Sequence, residues 1–166
     1  MAAILLAASV LAAPAGGVAV AAEIATGPVT NLALPRYVSL KTDKANIRRG
    51  PGLTYRIDWV FLRKGMPLQV LAEHGHWRKV RDMDDATGWV HHALLRGSRT
   101  AVVTSDRAAL RDGPAHDAEL TAIAEAGVVV KVTACAQKWC EVEADGHQGW
   151  TQKTELWGVG PADTFD

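Results

Sequence analysis

No short motif that announces a catalytic centre occurs in the 166 residues: there is no Gly-x-Ser-x-Gly elbow, no His-Glu-x-x-His helix and no glycine-rich phosphate cradle. Those absences argue against the common hydrolase and nucleotide-dependent classes. Cysteine is limited to Cys135 and Cys140, so a zinc site built on them would need two further ligands, and none stands nearby at zinc-like spacing. Net charge is also lacking, with 18 basic against 18 acidic residues, although the charge is not evenly spread along the chain. Charge is missing altogether from Met1 to Ala22, and the first Lys or Arg is Arg36. That opening stretch is short, Ala-rich and interrupted by Pro14, Gly16 and Gly17, so it is poorly suited to a stable membrane span. It reads as a secretory signal over residues 1–22, with cleavage before Ala22 or before Glu23, and a periplasmic or secreted location follows.

What the chain does contain is a repeat. Asn46-Ile47-Arg48-Arg49-Gly50-Pro51 is answered by Ala109-Leu110-Arg111-Asp112-Gly113-Pro114. Each copy continues with a glycine (Gly65, Gly127), an alternating apolar stretch, a Trp with Val three residues on (Trp77/Val80, Trp139/Val142), and a Gly-Trp pair (Gly88-Trp89, Gly149-Trp150). The offset slips from 63 at Gly50/Gly113 to 62 at Trp77/Trp139 and 61 at Trp89/Trp150, as small loop deletions between strands would produce.

In copy one the pattern predicts short strands at 44–48, 56–62, 66–71, 77–81 and 88–91, and a 3₁₀ turn near Ala93-Leu94-Leu95. Copy two predicts the same order. The segment Glu119 to Ala126 is rich in Ala and Glu, but its counterpart holds Ile57, Trp59, Val60 and Phe61, which favours strand. The expected fold class is all-β, two tandem five-stranded barrels: residues 41–98 and 102–158, after a linker at 23–40 and before a tail at 159–166. Cys135 and Cys140 flank the Ala136-Gln137-Lys138 turn; if it closes a hairpin, they face each other within disulfide reach. The halves differ in charge: residues 36–98 carry 12 basic and 6 acidic side chains, residues 99–166 carry 6 and 11. Either the two solvated surfaces have drifted, or the copies attract each other within or between chains, or copy one alone meets an anionic partner.

The ordered set Asn46-Ile47-Arg48-Arg49-Gly50-Pro51, the Gly65 turn, Leu68 to Leu71, Trp77-Arg78-Lys79-Val80 and Gly88-Trp89-Val90 resembles the bacterial SH3-type domain family. Copy two matches less closely, with Ala109, Ala115 and Thr151 departing from the pattern. The resemblance implies small five-stranded barrels, a cell-envelope location and, in several members, recognition of peptidoglycan. A subset of the family also carries two cysteines around the hairpin of Cys135 and Cys140.

Beside that resemblance stand the residues themselves. Alternation sets Trp77 opposite Val80 and Trp139 opposite Val142, so with the valines in the core both tryptophans lie at or near the surface; each is a platform for a sugar or peptide, or it caps a barrel end or packs between copies. Trp89 and Trp150 read as core. Arg49, Tyr55, Arg56, Trp59 and Trp77 form the candidate ligand-binding set, since Arg pairs with carboxylates and aromatics stack; core packing is the other reading of Trp59. Arg48 and Arg111 have a structural reading, bonding carbonyls of the following turn. The pairs His74/His76 and His91/His92 are of metal-binding type, yet no third ligand is fixed by spacing, so neither a metal site nor any cofactor is expected. Paired cysteines leave no Cys–His nucleophile, and no enzyme is expected. The partner expected is peptidoglycan or an envelope protein and not nucleic acid; the alternatives are an assembly module making protein–protein contacts only, or a targeting component of a separate wall hydrolase.

Overall fold

The computed structural model describes residues 25–165. The signal segment at 1–22 and its cleavage positions lie outside the described residues. Strands β1 (Arg36–Leu40), β2 (Ala45–Arg48), β3 (Ile57–Phe61), β4 (Pro67–His74), β5 (Trp77–Arg81), β6 (Thr87–His91) and β7 (Leu95–Arg96) build the first barrel, with a 3₁₀ turn at His92–Leu94. The second repeats it with β8 (Thr100–Val103), β9 (Arg107–Arg111), β10 (Leu120–Glu125), β11 (Val129–Ala136), β12 (Trp139–Ala144), β13 (His147–Gln152) and β14 (Leu156–Trp157), and a 3₁₀ turn at Lys153–Glu155. Strand order is β3-β2-β6-β5-β4-β1-β7 and, in the same topology, β10-β9-β13-β12-β11-β8-β14. Among the described residues no helix is long and apolar enough to cross a membrane.

The five expected strands of copy one are β2 to β6, and the segment at Glu119 to Ala126 is strand, as its counterpart indicated. Each sheet also gains two short strands. Residues 36–40, read from sequence as linker, pair with β4 and β7 as β1, and β8 starts at Thr100. The repeat therefore begins earlier than its recognisable motif, with Leu40 and Val103 as fully buried counterparts.

Period-2 alternation carries the cores. Ile47, Leu68, Val70, Val80 and Val90 are buried in the first barrel; Leu110, Val130, Val132 and Val142 are buried in the second. Val80 and Val142 occupy equivalent places, opposite Gly88 and Gly149. Both Gly-Trp pairs invert the sequence reading. Glycine faces inward because a Cβ there has no room: at Gly149 it would lie 2.9 Å from Leu110 Cβ and 3.0 Å from Arg111 O, and at Gly88 it would run into Ile47. Alternation then turns Trp89 and Trp150 outward, where they are half-buried rather than core.

A bulge at the same point in each copy, between Val70 and Ala72 and between Val132 and Ala134, shifts the alternation by one residue. Glu73 and Cys135 consequently face inward, opposite the buried Arg78 and Cys140. In the second barrel this pair is a disulfide, with Cα atoms 4.1 Å apart. In the first, an ion pair takes the same register (Arg78 Nε–Glu73 Oε1, 3.4 Å).

The barrels meet directly. Thr100 Oγ1 donates to Gly65 O (2.7 Å), Arg63 Nη1 donates to Gly127 O (2.9 Å), and Tyr37 packs edge-on to Trp157 with centroids 5.5 Å apart. The contact is made by carbonyls and aromatics, and no ion pair among the described residues joins residues 36–98 to residues 99–165.

Candidate functional site

The set proposed from sequence divides into three places. Arg49, Tyr55 and Arg56 gather at the β2–β3 turn, with a residue that the sequence reading passed over. Asp58 accepts from Arg56 Nη2 (2.8 Å) and Nε (3.0 Å) and from Arg49 Nε (3.4 Å). These bonds, the one from Arg56 foremost, hold the Asp58 carboxyl below its usual range. The Tyr55 ring lies over Gly50, exposed on its outer side. Arg48 Nη1 donates to Leu53 O (2.9 Å) and Tyr55 O (2.7 Å), and Arg111 Nη1 repeats this with Ala118 O (2.7 Å), so both arginines do tie the following turn.

Trp59 is elsewhere. It packs on the first core and edge-on to Phe61 at 6.3 Å, near Gly88 on the inward side. Trp77 lies on the outward face, paired with His91 at the end of β6 away from the 50–55 turn. The structure therefore does not bring Trp59 and Trp77 together. Trp77 is half-buried with His91 edge-on to it at 5.4 Å, whereas Trp139 is buried under His116 at 5.0 Å, a closer cover than its surface expectation.

A concavity of about 740 Å³ lies where the barrels, the N-terminal hairpin and the C-terminal segment converge. Arg36, Arg78, Arg96 and Arg99 line it, with Tyr37 and a single acidic residue, Asp163. The segment before β1, expected to be a tether, is a small hairpin closed by Gly27 N to Leu32 O (2.8 Å) and Leu34 N to Ala25 O (2.7 Å). Glu73 clamps it down, accepting from Val29 N (3.0 Å), Thr30 N (2.9 Å), Thr30 Oγ1 (2.6 Å) and Arg36 Nη2 (2.8 Å). Burial pushes the Glu73 carboxyl up, but the bonds from Thr30, Arg36 and Val29 outweigh it and bring it down to about 2. The C-terminal segment, expected to be loose, is held too: Phe165 exchanges backbone bonds with Cys135 (2.7 and 3.0 Å), Arg99 lies 4.0 Å over its ring, and Lys153 Nζ donates to Asp163 O (2.5 Å).

Charge in the groove is unevenly answered. Arg36 and Arg78 are tied to Glu73 and Arg99 to Asp163 (3.0 Å). Arg96 is exposed, bonds only the Ser39 hydroxyl through Nε (3.2 Å), and among the described residues has no carboxylate within ion-pair distance. A guanidinium so placed is a ready partner for an incoming carboxylate. Sequence reasoning missed the groove because part of its wall comes from residues 30–38 and 160–163, taken as linker and tail. The repeat offset was the available signal, since it aligns residues 36–40 with 99–103.

The two histidine pairs, read as separate loops, meet in space. His76, His91 and His92 cluster beside the groove, while His74 does not join them. Burial, then the proximity of His91, Arg78 and His76, lowers the His92 pKa.

The chain belongs to the bacterial SH3 domain family, which matches it twice, over residues 41–97 and 104–158. The sequence-based resemblance and the all-β tandem fold are thereby established. A Bacillus subtilis (strain 168) protein, YrvJ, which bears the name of an N-acetylmuramoyl-L-alanine amidase, is 25% identical over 138 residues. That alignment covers 76% of this chain and 26% of the relative, so the chain spans about a quarter of the curated protein it matches. Among solved structures, NlpC2 from Trichomonas vaginalis aligns with 74% of this chain and 48% of its own at 13% identity and a TM-score of 0.35. An NlpC/P60 family protein from Bacillus cereus ATCC 10987 aligns with 73% and 55% at 13% identity and a TM-score of 0.33. At that level of likeness neither structure bears on the site or its chemistry.

Proposed function

We propose that this is an exported, non-enzymatic binding protein of the cell envelope whose two barrels together hold a carboxylate-bearing peptide of the cell wall in the groove at their junction. The observation that carries the reading is the convergence of four arginines there, with Arg96 left open to an external carboxylate. Membership in a family of wall-binding modules supports it, as does the amidase name of the Bacillus subtilis relative. A buried disulfide suits an oxidising compartment outside the cytoplasm. The barrel-one residues Arg49, Tyr55, Arg56 and Trp77 offer a second contact, since their exposed turn and outward face are open to a long polymer.

Co-sedimentation with purified sacculi tests the proposal. The full mature protein should pellet, and Arg96→Gln should weaken binding about fivefold, or ~1 kcal/mol, at low salt. That effect should fade at 1 M salt, where the Debye length is about 3 Å. Trp77→Ala and Arg49→Ala test the second contact: loss at Trp77 should persist in high salt, because stacking is not screened, whereas loss at Arg49 should not. If the folded wild-type protein stays in the supernatant, wall binding is wrong and the assembly-module alternative takes its place.

A further inference from the structure

We propose that His76, His91 and His92 form a binding site for one late divalent transition-metal ion, zinc or a close analogue, with the remaining coordination positions open to solvent. Their ligand atoms all lie within 4.8 Å of one another. The imidazoles are close and nearly parallel, with ring centroids 5.7 Å apart for His76–His91, 5.4 Å for His76–His92 and 4.9 Å for His91–His92, and interplanar angles of 23° to 33°.

The backbone holds this arrangement without help from an ion. His92 N donates to His76 O at 2.8 Å, which ties the β4–β5 hairpin to the 3₁₀ turn. His91 is the register partner of Trp77, whose ring edge braces the imidazole. Three neutral imidazoles are a borderline-soft donor set that selects zinc, copper or nickel over magnesium and calcium, which require oxygen. No Asp or Glu among the described residues joins the cluster. The nearby Arg78 pairs with Glu73 at 3.4 Å, a carboxylate that it shares with Arg36, and it also donates to Gly75 O (2.8 Å) and Trp77 O (2.9 Å).

Ligation needs the stacked rings to turn until their nitrogens converge, together with a contraction. Zinc–nitrogen bonds of about 2.0–2.1 Å place tetrahedral ligands about 3.4 Å apart, so the present spacing closes by side-chain adjustment. His76 and His92 are exposed and free to adjust. Among the described residues the three rings make a single hydrogen bond, the long one that His91 Nδ1 accepts from Ala93 N, at 3.2 Å. Ligation through Nδ1 exchanges that weak contact for the metal, which makes the Ala93 amide a reporter. His92 also lines the arginine groove, so the ion would sit at its rim.

The test is calorimetric titration of the full mature, tag-free protein, cleared of metal by a chelator, with zinc chloride at neutral pH. The expected result is one zinc per chain, with the Ala93 amide and the three imidazole resonances shifting together in NMR spectra. Magnesium should produce neither effect. His76→Ala and His92→Ala, both exposed and harmless to the fold, should each weaken zinc binding by about 100-fold or more, since even residues that only support a metal ligand cost 10–100-fold. His147→Ala, in the second barrel, should leave it unchanged. The proposal is overturned if wild-type protein binds no zinc, or if binding survives both His76→Ala and His92→Ala and therefore resides elsewhere. Either result leaves the sacculus-binding reading untouched, because that reading rests on Arg96.

Discussion

Replacing Glu73 by Gln keeps the shape of the side chain and removes its charge, which makes it the sharpest probe of the hairpin clamp. Its carboxylate is fully covered and collects four hydrogen bonds, three from the 29–30 turn and one from Arg36, with Arg78 at ion-pair distance. In the variant, the amide can still accept from Val29 and Thr30, but its NH₂ would confront a guanidinium. Arg36 Nη1 is already buried without a partner, so nothing else compensates the loss. The Glu73 pKa falls from 4.5 to about 2 on folding, a shift that corresponds to about 3 kcal/mol. The group lies beneath one thin hairpin, close to water, so the expected loss is smaller, about 2 kcal/mol. The folded carboxyl holds its proton more weakly than the unfolded one. Its contribution is therefore complete above about pH 5 and disappears as pH falls through 4.5 toward 2. Urea unfolding of both proteins at pH 7, 4 and 2.5 reads the difference, which should shrink with acid. In wild-type spectra the Val29 and Thr30 amides should titrate with a midpoint near 2. A variant within 0.5 kcal/mol of wild type at pH 7 (about a twofold change in the folding constant), or amides titrating near pH 4, would refute the clamp.

Two further outcomes follow from the barrels. Unreduced, denatured protein should show no reactive thiol, and replacing Cys135 and Cys140 together by Ser should cost about 2 kcal/mol in the second barrel while the first stays folded; two free thiols in the native chain would contradict the pairing. Gly88→Ala should destabilise the first barrel by about 1–3 kcal/mol, because the new methyl runs into Ile47 and lies 3.1 Å from Arg48 O; an unchanged urea midpoint would show that β6 does not approach β2 as closely as described.

Local pattern was enough for much of this. The repeat announced itself through Arg48-Arg49-Gly50-Pro51 and its echo at 111–114. The alternation of Leu68 and Val70 marked β4, the matched spacing of Trp77/Val80 and Trp139/Val142 placed both valines in the cores, and the turn at 136–138 set Cys135 against Cys140. These signals are legible because periodicity and turn chemistry depend on neighbours along the chain. What the tertiary structure alone decided depends on neighbours across it. A one-residue bulge after Val70 turned Glu73 inward, and the close crossing of β6 over β2 put Gly88 inside and Trp89 out. The groove arises because residues 25–35 and 159–165, without pattern of their own, fold back onto the barrels under Glu73 and Lys153. His76 reaches His91 and His92 only through antiparallel pairing of β5 with β6. A bulge, a crossing and a cross-strand register are each set by how distant segments pack, and no window along the chain records that.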